Sequence, residues 1–141
     1  RVDRQVARPE KLYIVAHGSV DRYIGGTYQD GWLTARVRDL HLTYEVDYDD
    51  RPPVISPIGQ SHWAASGTIR LGLEDTKSGL AEYTGSIDGE FVLFEDVPKS
   101  PWVVCLLKDT PLQPTGKLRH LRFTATDRCG NTRTFETQIL Y

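Results

Sequence analysis

Residues 118–140 read LRHLRFTATDRCGNTRTFETQIL, and this stretch decides the fold. Two segments rich in Thr, Phe, Ile and Leu, residues 118–126 and 132–140, flank the turn sequence DRCGN. Gly130 and Asn131 both accept the left-handed backbone that tight turns need. The stretch therefore predicts two long antiparallel strands joined as a hairpin.

The same pattern extends back to residue 52. Short segments rich in β-branched and aromatic residues lie between glycines and prolines, and Asp88-Gly89 marks a second tight turn. The remaining predicted strands are residues 54–58, 67–73, 82–87, 90–95 and 102–107. Seven strands at this spacing predict an all-β protein in which residues 52–141 form an immunoglobulin-like β-sandwich.

Residues 1–51 predict a smaller, truncated β-unit upstream of the sandwich. Four strands are expected at residues 11–15, 22–29, 32–38 and 41–47, with Asp30-Gly31 as a type I′ turn between the second and third. Four strands are too few to close a sandwich, so this unit must pack on the second one or on chain that this sequence does not include. We place the boundary at Pro52-Pro53, where two backbone donors are missing.

Composition excludes several classes of function. The 141 residues carry a net charge of −2 with mixed signs, so no nucleic-acid partner is expected. The longest apolar run, residues 102–107, is six residues, whereas a membrane span needs about 20. The chain starts at Arg1 and contains no Met, so we expect a processed chain or a piece of a longer one.

No catalytic residue is predicted in this chain. Its four histidines, at positions 17, 41, 62 and 120, form neither a His-x-His nor a His-Glu-x-x-His zinc signature. Ser61 and His62 lack the glycine pattern of a nucleophile elbow, and we interpret them as loop residues before Trp63, a ring that covers one end of the sandwich. The chain is therefore not expected to be an enzyme by itself.

Asp75 and Asp127 are the candidates for a calcium site, because Ca²⁺ prefers oxygen ligands. The favoured interpretation is different: an Asp at the start of a turn accepts hydrogen bonds from backbone amides two or three residues later. Asp47, Asp49 and Asp50, before the double proline, are either an interdomain calcium site or a solvated linker. Apart from this calcium, no cofactor is expected.

Cys105 and Cys129 are 24 positions apart, and a disulfide is favoured over two buried free thiols. Such a bond would place the protein in an oxidising compartment.

Among the aromatic residues, Trp32 with Tyr28 is the best candidate for a platform that stacks on sugar rings. Trp102 lies in an apolar run and is expected in the core.

Several segments together resemble one family, over about residue 12 to the end of the chain. They are YIGGTY at 23–28, WLTARVR at 32–38, Pro52-Pro53-Val54, Asp75 with Ser78-Gly79, Tyr83, IDGEFVLF at 87–94, and Thr126-Asp127 with Cys129-Gly130-Asn131. This combination resembles the C-terminal, immunoglobulin-like region of lysostaphin-like zinc metallopeptidases of the Gram-negative envelope.

The resemblance implies a periplasmic, cell-envelope or secreted parent that cuts peptidoglycan with zinc in a separate catalytic domain. Its His-x-x-x-Asp and His-x-His ligands match nothing in this sequence, so no catalytic residue carries over. The leading hypothesis is a non-catalytic scaffolding module whose partner is the upstream peptidase domain of the same polypeptide or another envelope protein. The alternative is a module that binds glycan, such as peptidoglycan, through exposed aromatic side chains.

Overall fold

The structure is a computed structural model that describes residues 1–3, 5–75 and 77–141. Strands dominate it, and helix is confined to α1 (Trp63–Ser66) and three single turns of 3-10 helix at Pro9–Lys11, Gln60–His62 and Leu107–Asp109. The all-β prediction is therefore confirmed. No helix in the described residues reaches the length and apolar character needed to cross a bilayer.

Residues 12–48 supply five strands: β1 (Leu12–His17), β2 (Arg22–Gly25), β3 (Thr27–Gln29), β4 (Trp32–Thr34) and β5 (Thr43–Tyr48). The first sheet has the order β2-β1-β5, and β3 and β4 form a separate two-stranded ribbon. Asp30 and Gly31 join β3 to β4 with φ of 50° and 84°, as the predicted type I′ turn requires. We call residues 9–49, which hold these strands and the residues that flank them, the first unit.

Residues 54–140 supply eight strands: β6 (Val54–Pro57), β7 (Thr68–Glu74), β8 (Leu80–Ile87), β9 (Glu90–Val92), β10 (Glu95–Asp96), β11 (Trp102–Leu106), β12 (Leu118–Asp127) and β13 (Thr132–Leu140). They form two four-stranded antiparallel sheets with the orders β10-β11-β7-β6 and β13-β12-β8-β9. In immunoglobulin terms these are the sheets DEBA and GFCC′, so the sandwich prediction is confirmed.

The core lies between these two sheets. Ile69 and Leu71 of one sheet and Ile87, Leu121 and Phe123 of the other are completely buried. Period-2 alternation along each strand sends these residues inward and leaves their neighbours in solvent. Trp63 is 3% exposed at one end of the sandwich, and its Nε1 donates to the Ile58 carbonyl at 2.8 Å. The covering role expected for this ring is confirmed.

Three predicted strands differ from the structure. The strand expected at residues 22–29 is split at Gly26: β2 pairs with β1, whereas β3 pairs with β4. The strand expected at residues 32–38 ends at Thr34, because β4 has only the three-residue β3 as a partner and no strand flanks its continuation. The strand expected at residues 90–95 is split: β9 pairs with β8, whereas β10 pairs with β11 in the opposite sheet. The buried ring of Phe94 lies at this crossing between the sheets.

Trp102 was expected in the core and is 39% exposed. Its neighbours Val103 and Cys105 point inward, so alternation places Trp102 on the outer face of the sheet. There the guanidinium of Arg70 lies 5.3 Å from the centre of the Trp102 ring.

Candidate functional site: the joint between the two units

Polar burial is concentrated where the first unit meets the sandwich. The buried polar and charged side chains are Lys11, Asp49, Ser78, Asp127 and Asn131. Lys11 and Asp49 flank the strands of the first unit. Ser78 and Asn131 lie in the β7–β8 and β12–β13 turns, and Asp127 is the last residue of β12. We call these five residues the joint.

Asp127 organises the β12–β13 turn. Its Oδ1 accepts hydrogen bonds from the amides of Cys129 and Asn131, each at 2.9 Å, and its Oδ2 accepts one from Asn131 Nδ2 at 2.8 Å. Asp75 does the same in the β7–β8 turn, where its Oδ1 accepts from the Lys77 amide at 3.1 Å and the Gly79 amide at 2.8 Å. The bonds from Cys129 and Lys77, two residues after each Asp, are those that the turn interpretation predicted. The bonds from Asn131 and Gly79 come from four residues after each Asp, one residue beyond the predicted interval.

Asp49 connects the first unit to both turns. Its Oδ2 accepts hydrogen bonds from the Ser78 amide at 3.0 Å and from the Ser78 hydroxyl, and its Oδ1 accepts one from the Arg51 amide at 3.1 Å. Its main-chain carbonyl accepts a hydrogen bond from Asn131 Nδ2 at 2.9 Å. The Asn131 amide thus joins a backbone atom of the first unit to a carboxylate of the sandwich.

Lys11 completes the joint from the start of β1. Its Nζ donates to the Cys129 carbonyl at 2.8 Å, and Cys129 Sγ in turn lies 3.6 Å from the Lys11 carbonyl. Among the described residues, no buried side-chain nitrogen or oxygen lacks a hydrogen-bond partner. Because an unpaired buried polar group is costly, full pairing makes the relative placement of the two units specific.

More exposed contacts surround the joint. Lys77 Nζ lies 3.3 Å from Asp47 Oδ1 and donates to the Tyr48 carbonyl at 2.8 Å. The Tyr23 hydroxyl donates to the Arg128 carbonyl at 3.1 Å, and the Arg128 guanidinium lies 5.4 Å from the centre of the Tyr23 ring. These contacts all join the first unit to the same end of the sandwich.

The carboxylates of Asp49, Asp75 and Asp127 converge, with one oxygen of each within 4.8 Å of the others. Burial raises the pKa of Asp127, and the nearby carboxylates of Asp49 and Asp75 add to the increase against the hydrogen bonds from Asn131. Burial also acts on Asp49, but the hydrogen bonds from Ser78 and Arg51 outweigh it and lower the pKa of Asp49. Calcium binding at Asp75 and Asp127 stays a prediction. Both oxygens of Asp127 and Oδ1 of Asp75 accept hydrogen bonds from the protein.

Cys105 and Cys129 are free thiols, so the predicted disulfide is not formed. Cys105 is opposite Ile69 in the register of β11 and β7, whereas Cys129 lies at the joint, beside the turn that follows β7. Asp75 of that turn is six residues beyond Ile69, about 20 Å at the rise of a strand, and a disulfide needs Cα atoms within about 7 Å. Burial raises the pKa of Cys105 to about 11.

The structure does not bring the proposed sugar-binding residues together. Tyr28 is opposite Leu33, and Trp32 is opposite Gln29, in the register of β3 and β4. Adjacent positions of a strand point to opposite faces, so Trp32 and Tyr28 lie on different sides of the ribbon. The Trp32 side chain is 56% exposed and is available by itself.

The four histidines lie in different elements, namely β1, the turn before β5, the 3-10 helix at Gln60–His62 and β12. His17, at the end of β1, is hydrogen-bonded through Nδ1 to Asp21 at 2.9 Å and through Nε2 to Glu45 at 2.8 Å. These two carboxylates raise the pKa of His17. His120 Nε2 lies 3.1 Å from Glu136 Oε1, and His62 is exposed in a 3-10 helix.

Sequence reasoning identified Asp75 and Asp127 and left Asp49 as an alternative, but it missed Lys11. Lys11 lies 118 positions from its partner Cys129. The one local signal is that a charged residue directly precedes the buried Leu12 and Tyr13.

Comparison with protein-family models gives a match to the first unit. A family model described as a Zu5-like domain matches residues 2–49, about a third of the 141 residues. The match covers the first unit and ends at Asp49, the joint residue that follows β5. No curated protein matches the sequence.

Proposed function

We propose that this chain is a non-catalytic scaffolding module, and that it forms the C-terminal part of a periplasmic enzyme that cleaves peptidoglycan with zinc held in a separate domain. The observation that supports the scaffolding role is the joint. Its buried polar side chains are used as hydrogen-bond partners between two β-units, which is what a spacer of fixed geometry needs.

The joint also gives a physical role to the motifs behind the metallopeptidase resemblance. Asp75 with Ser78-Gly79, and Asp127 with Gly130-Asn131, form the two turns that receive Asp49. A family that keeps both units in a fixed arrangement would need these residues together. In the parent, the partner of this module is the upstream peptidase domain.

Hydrolysis of peptidoglycan by the purified chain tests the non-catalytic role. The chain is incubated with insoluble peptidoglycan and added Zn²⁺, and released soluble fragments are measured. We expect release equal to that of a protein-free control. Release that a chelator abolishes would overturn the proposal.

A glycan-binding module is the second candidate, favoured by the exposed indole of Trp32. If it is correct, the chain sediments with insoluble peptidoglycan and Trp32→Ala releases it, whereas Trp102→Ala, on the outer face of the sandwich, does not. Sedimentation that is equal for all three proteins would contradict a role for Trp32.

A further inference from the structure

A surface cleft of about 580 Å³ lies between the two sheets of the sandwich. One wall is the start of β8, and the other is the loop that joins β10 to β11. Ala81, which lines the cleft, is the extra residue of a β-bulge between β8 and β12, and a bulge bends its strand. The contacts of the joint do not use this cleft.

The β10–β11 loop is held in place by hydrogen bonds. The Val97 amide donates to the Trp102 carbonyl at 2.9 Å, and the amide and hydroxyl of Ser100 donate to the Val97 carbonyl at 3.2 and 3.1 Å. The Leu73 amide donates to the Pro101 carbonyl at 2.8 Å, which attaches the loop to β7. The cleft is therefore formed before a ligand enters, which lowers the entropic cost of binding.

The most buried side chains that line the cleft are apolar. Leu73 and Val103 are 5% and 2% exposed. The ring of Tyr83 lines the cleft beside them and is held by stacking on Phe123, with the ring centroids 5.6 Å apart. These surfaces favour a ligand with an apolar part, because its burial removes apolar surface from water.

The charged side chains that line the cleft are Glu82, Asp96 and Lys99, and all three are exposed. Asp96 Oδ1 accepts a hydrogen bond from the Tyr83 hydroxyl at 2.8 Å, which fixes this carboxylate at the cleft. Within the described part of the chain, neither Glu82 nor Asp96 forms an ion pair, with Lys99 or with any other base. Two carboxylates without a cation, next to apolar side chains, complement a cation that carries an apolar stem.

The Tyr83 hydroxyl reports the sign of the electrostatic potential at the cleft. Burial raises the pKa of Tyr83 to about 12, and the hydrogen bond and charge of Asp96 and the charge of Glu95 add to the increase. Both charges that act on this hydroxyl are negative, so Lys99 does not reverse the potential there. An anionic ligand is therefore repelled from this part of the cleft, and a cation is attracted.

We propose that this cleft binds an organic cation, namely an ammonium or guanidinium group on an apolar stem. The stem packs on Leu73, Val103 and the Tyr83 ring, and the charged group binds the carboxylates of Glu82 and Asp96. A lysine or arginine side chain of a partner chain and a free aliphatic amine share this chemistry. This binding goes beyond the scaffolding role and does not depend on the identity of the parent.

The first probe is the peptide acetyl-Gly-Lys-Gly-amide, and the same peptide with norleucine in place of Lys keeps the stem without the charge. Each is titrated into the full chain at low ionic strength, and amide chemical shifts are measured by NMR. We expect the Lys peptide to shift amides of residues 80–83 and 96–103, and the norleucine peptide to bind at least about threefold more weakly. n-Butylamine distinguishes the sources: weaker binding than the Lys peptide assigns the cleft to a side chain of a partner chain, and equal binding assigns it to a free amine.

Asp96→Asn removes one negative charge and keeps an oxygen that accepts the Tyr83 hydroxyl, so it should weaken binding of the Lys peptide at least about threefold. Glu90→Gln is the matched control and should leave the affinity unchanged. It removes the same charge from an exposed residue opposite Ile87, at the other end of β8 from the cleft. Lys99→Gln removes the one positive charge of the lining and should strengthen binding.

Several results would overturn the proposal. They are unchanged shifts of the cleft amides at millimolar concentrations of the Lys peptide, equal affinity for the norleucine peptide, and equal affinity of the Asp96→Asn and Glu90→Gln variants. None of these outcomes depends on peptidoglycan hydrolysis, so the scaffolding proposal is tested separately.

Discussion

Asn131→Ala tests whether the joint couples the two units. The Asn131 Nδ2 atom donates at 2.9 Å to the Asp49 carbonyl and at 2.8 Å to Asp127 Oδ2, and the side chain is 6% exposed. Alanine removes both donors and leaves two buried acceptors. A lost bond to a charged acceptor costs about 1.5–3 kcal/mol and an unsatisfied buried carbonyl about 1–3 kcal/mol, so we expect unfolding to become about 3 kcal/mol easier.

For a chain of 141 residues the unfolding entropy is about 0.3 kcal/mol/K, so the melting temperature should fall by about 10 °C. The assay is urea unfolding followed by circular dichroism for all strands and by tryptophan emission, which is most sensitive to the buried Trp63. Gln138→Ala on the same hairpin, an exposed side chain, is the control and should change stability by less than about 0.5 kcal/mol. If Asn131→Ala is as mild as this control, the joint does not couple the units.

Three further outcomes are expected. Gly85→Ala would place a Cβ 2.4 Å from the ring of Phe94, so it should destabilise the chain by about 1–3 kcal/mol in urea unfolding. Gly72→Ala is the control and should be nearly neutral, because its Cβ meets no atom closer than 3.5 Å. Equal effects of the two substitutions would contradict the packing around Phe94. Because the pKa of His17 is raised in the folded state, the stabilisation that charged His17 provides is complete below about pH 6.5 and is lost as pH rises through the folded-state pKa. Asp21→Asn should lower the pKa of His17 measured by proton NMR. An unchanged pKa would refute the ion pair between His17 and Asp21. A thiol reagent should find two reactive cysteines per chain in guanidinium and none in the native protein, and finding none in guanidinium would restore the disulfide.

The sequence predicts those parts of the fold that depend on local chemistry. Asp30-Gly31 and Asp88-Gly89 determine their hairpins because both residues of each pair adopt positive φ. The Asp-Gly dipeptide alone is enough to recognise this requirement in the sequence. The pairing of strands that are distant in the sequence does not depend on local chemistry. Nothing within residues 90–95 indicates that the chain leaves one sheet after β9 and enters the other at β10, since this crossing depends on the space that the Phe94 ring fills in the core.

Trp102 illustrates the limit of hydrophobicity as a signal. A continuous apolar run is compatible with a strand buried on both faces, and that interpretation predicts a buried Trp102. In β11 only one face is covered, because no layer packs on the outside of the DEBA sheet in the described structure. Stacking of Arg70 on the ring compensates in part for the exposed apolar surface.

The joint could be predicted only in part, for a reason that also bears on its role. Asp75 and Asp127 each have a local function in a turn, and turn chemistry identifies such residues from sequence. Asp49 and Lys11 act on partners 29 to 118 positions away, so their contacts exist only after both units have folded. Their contribution to stability is therefore realised only in the assembled pair of units, and their substitution should affect the coupling between the units more than the folding of either one.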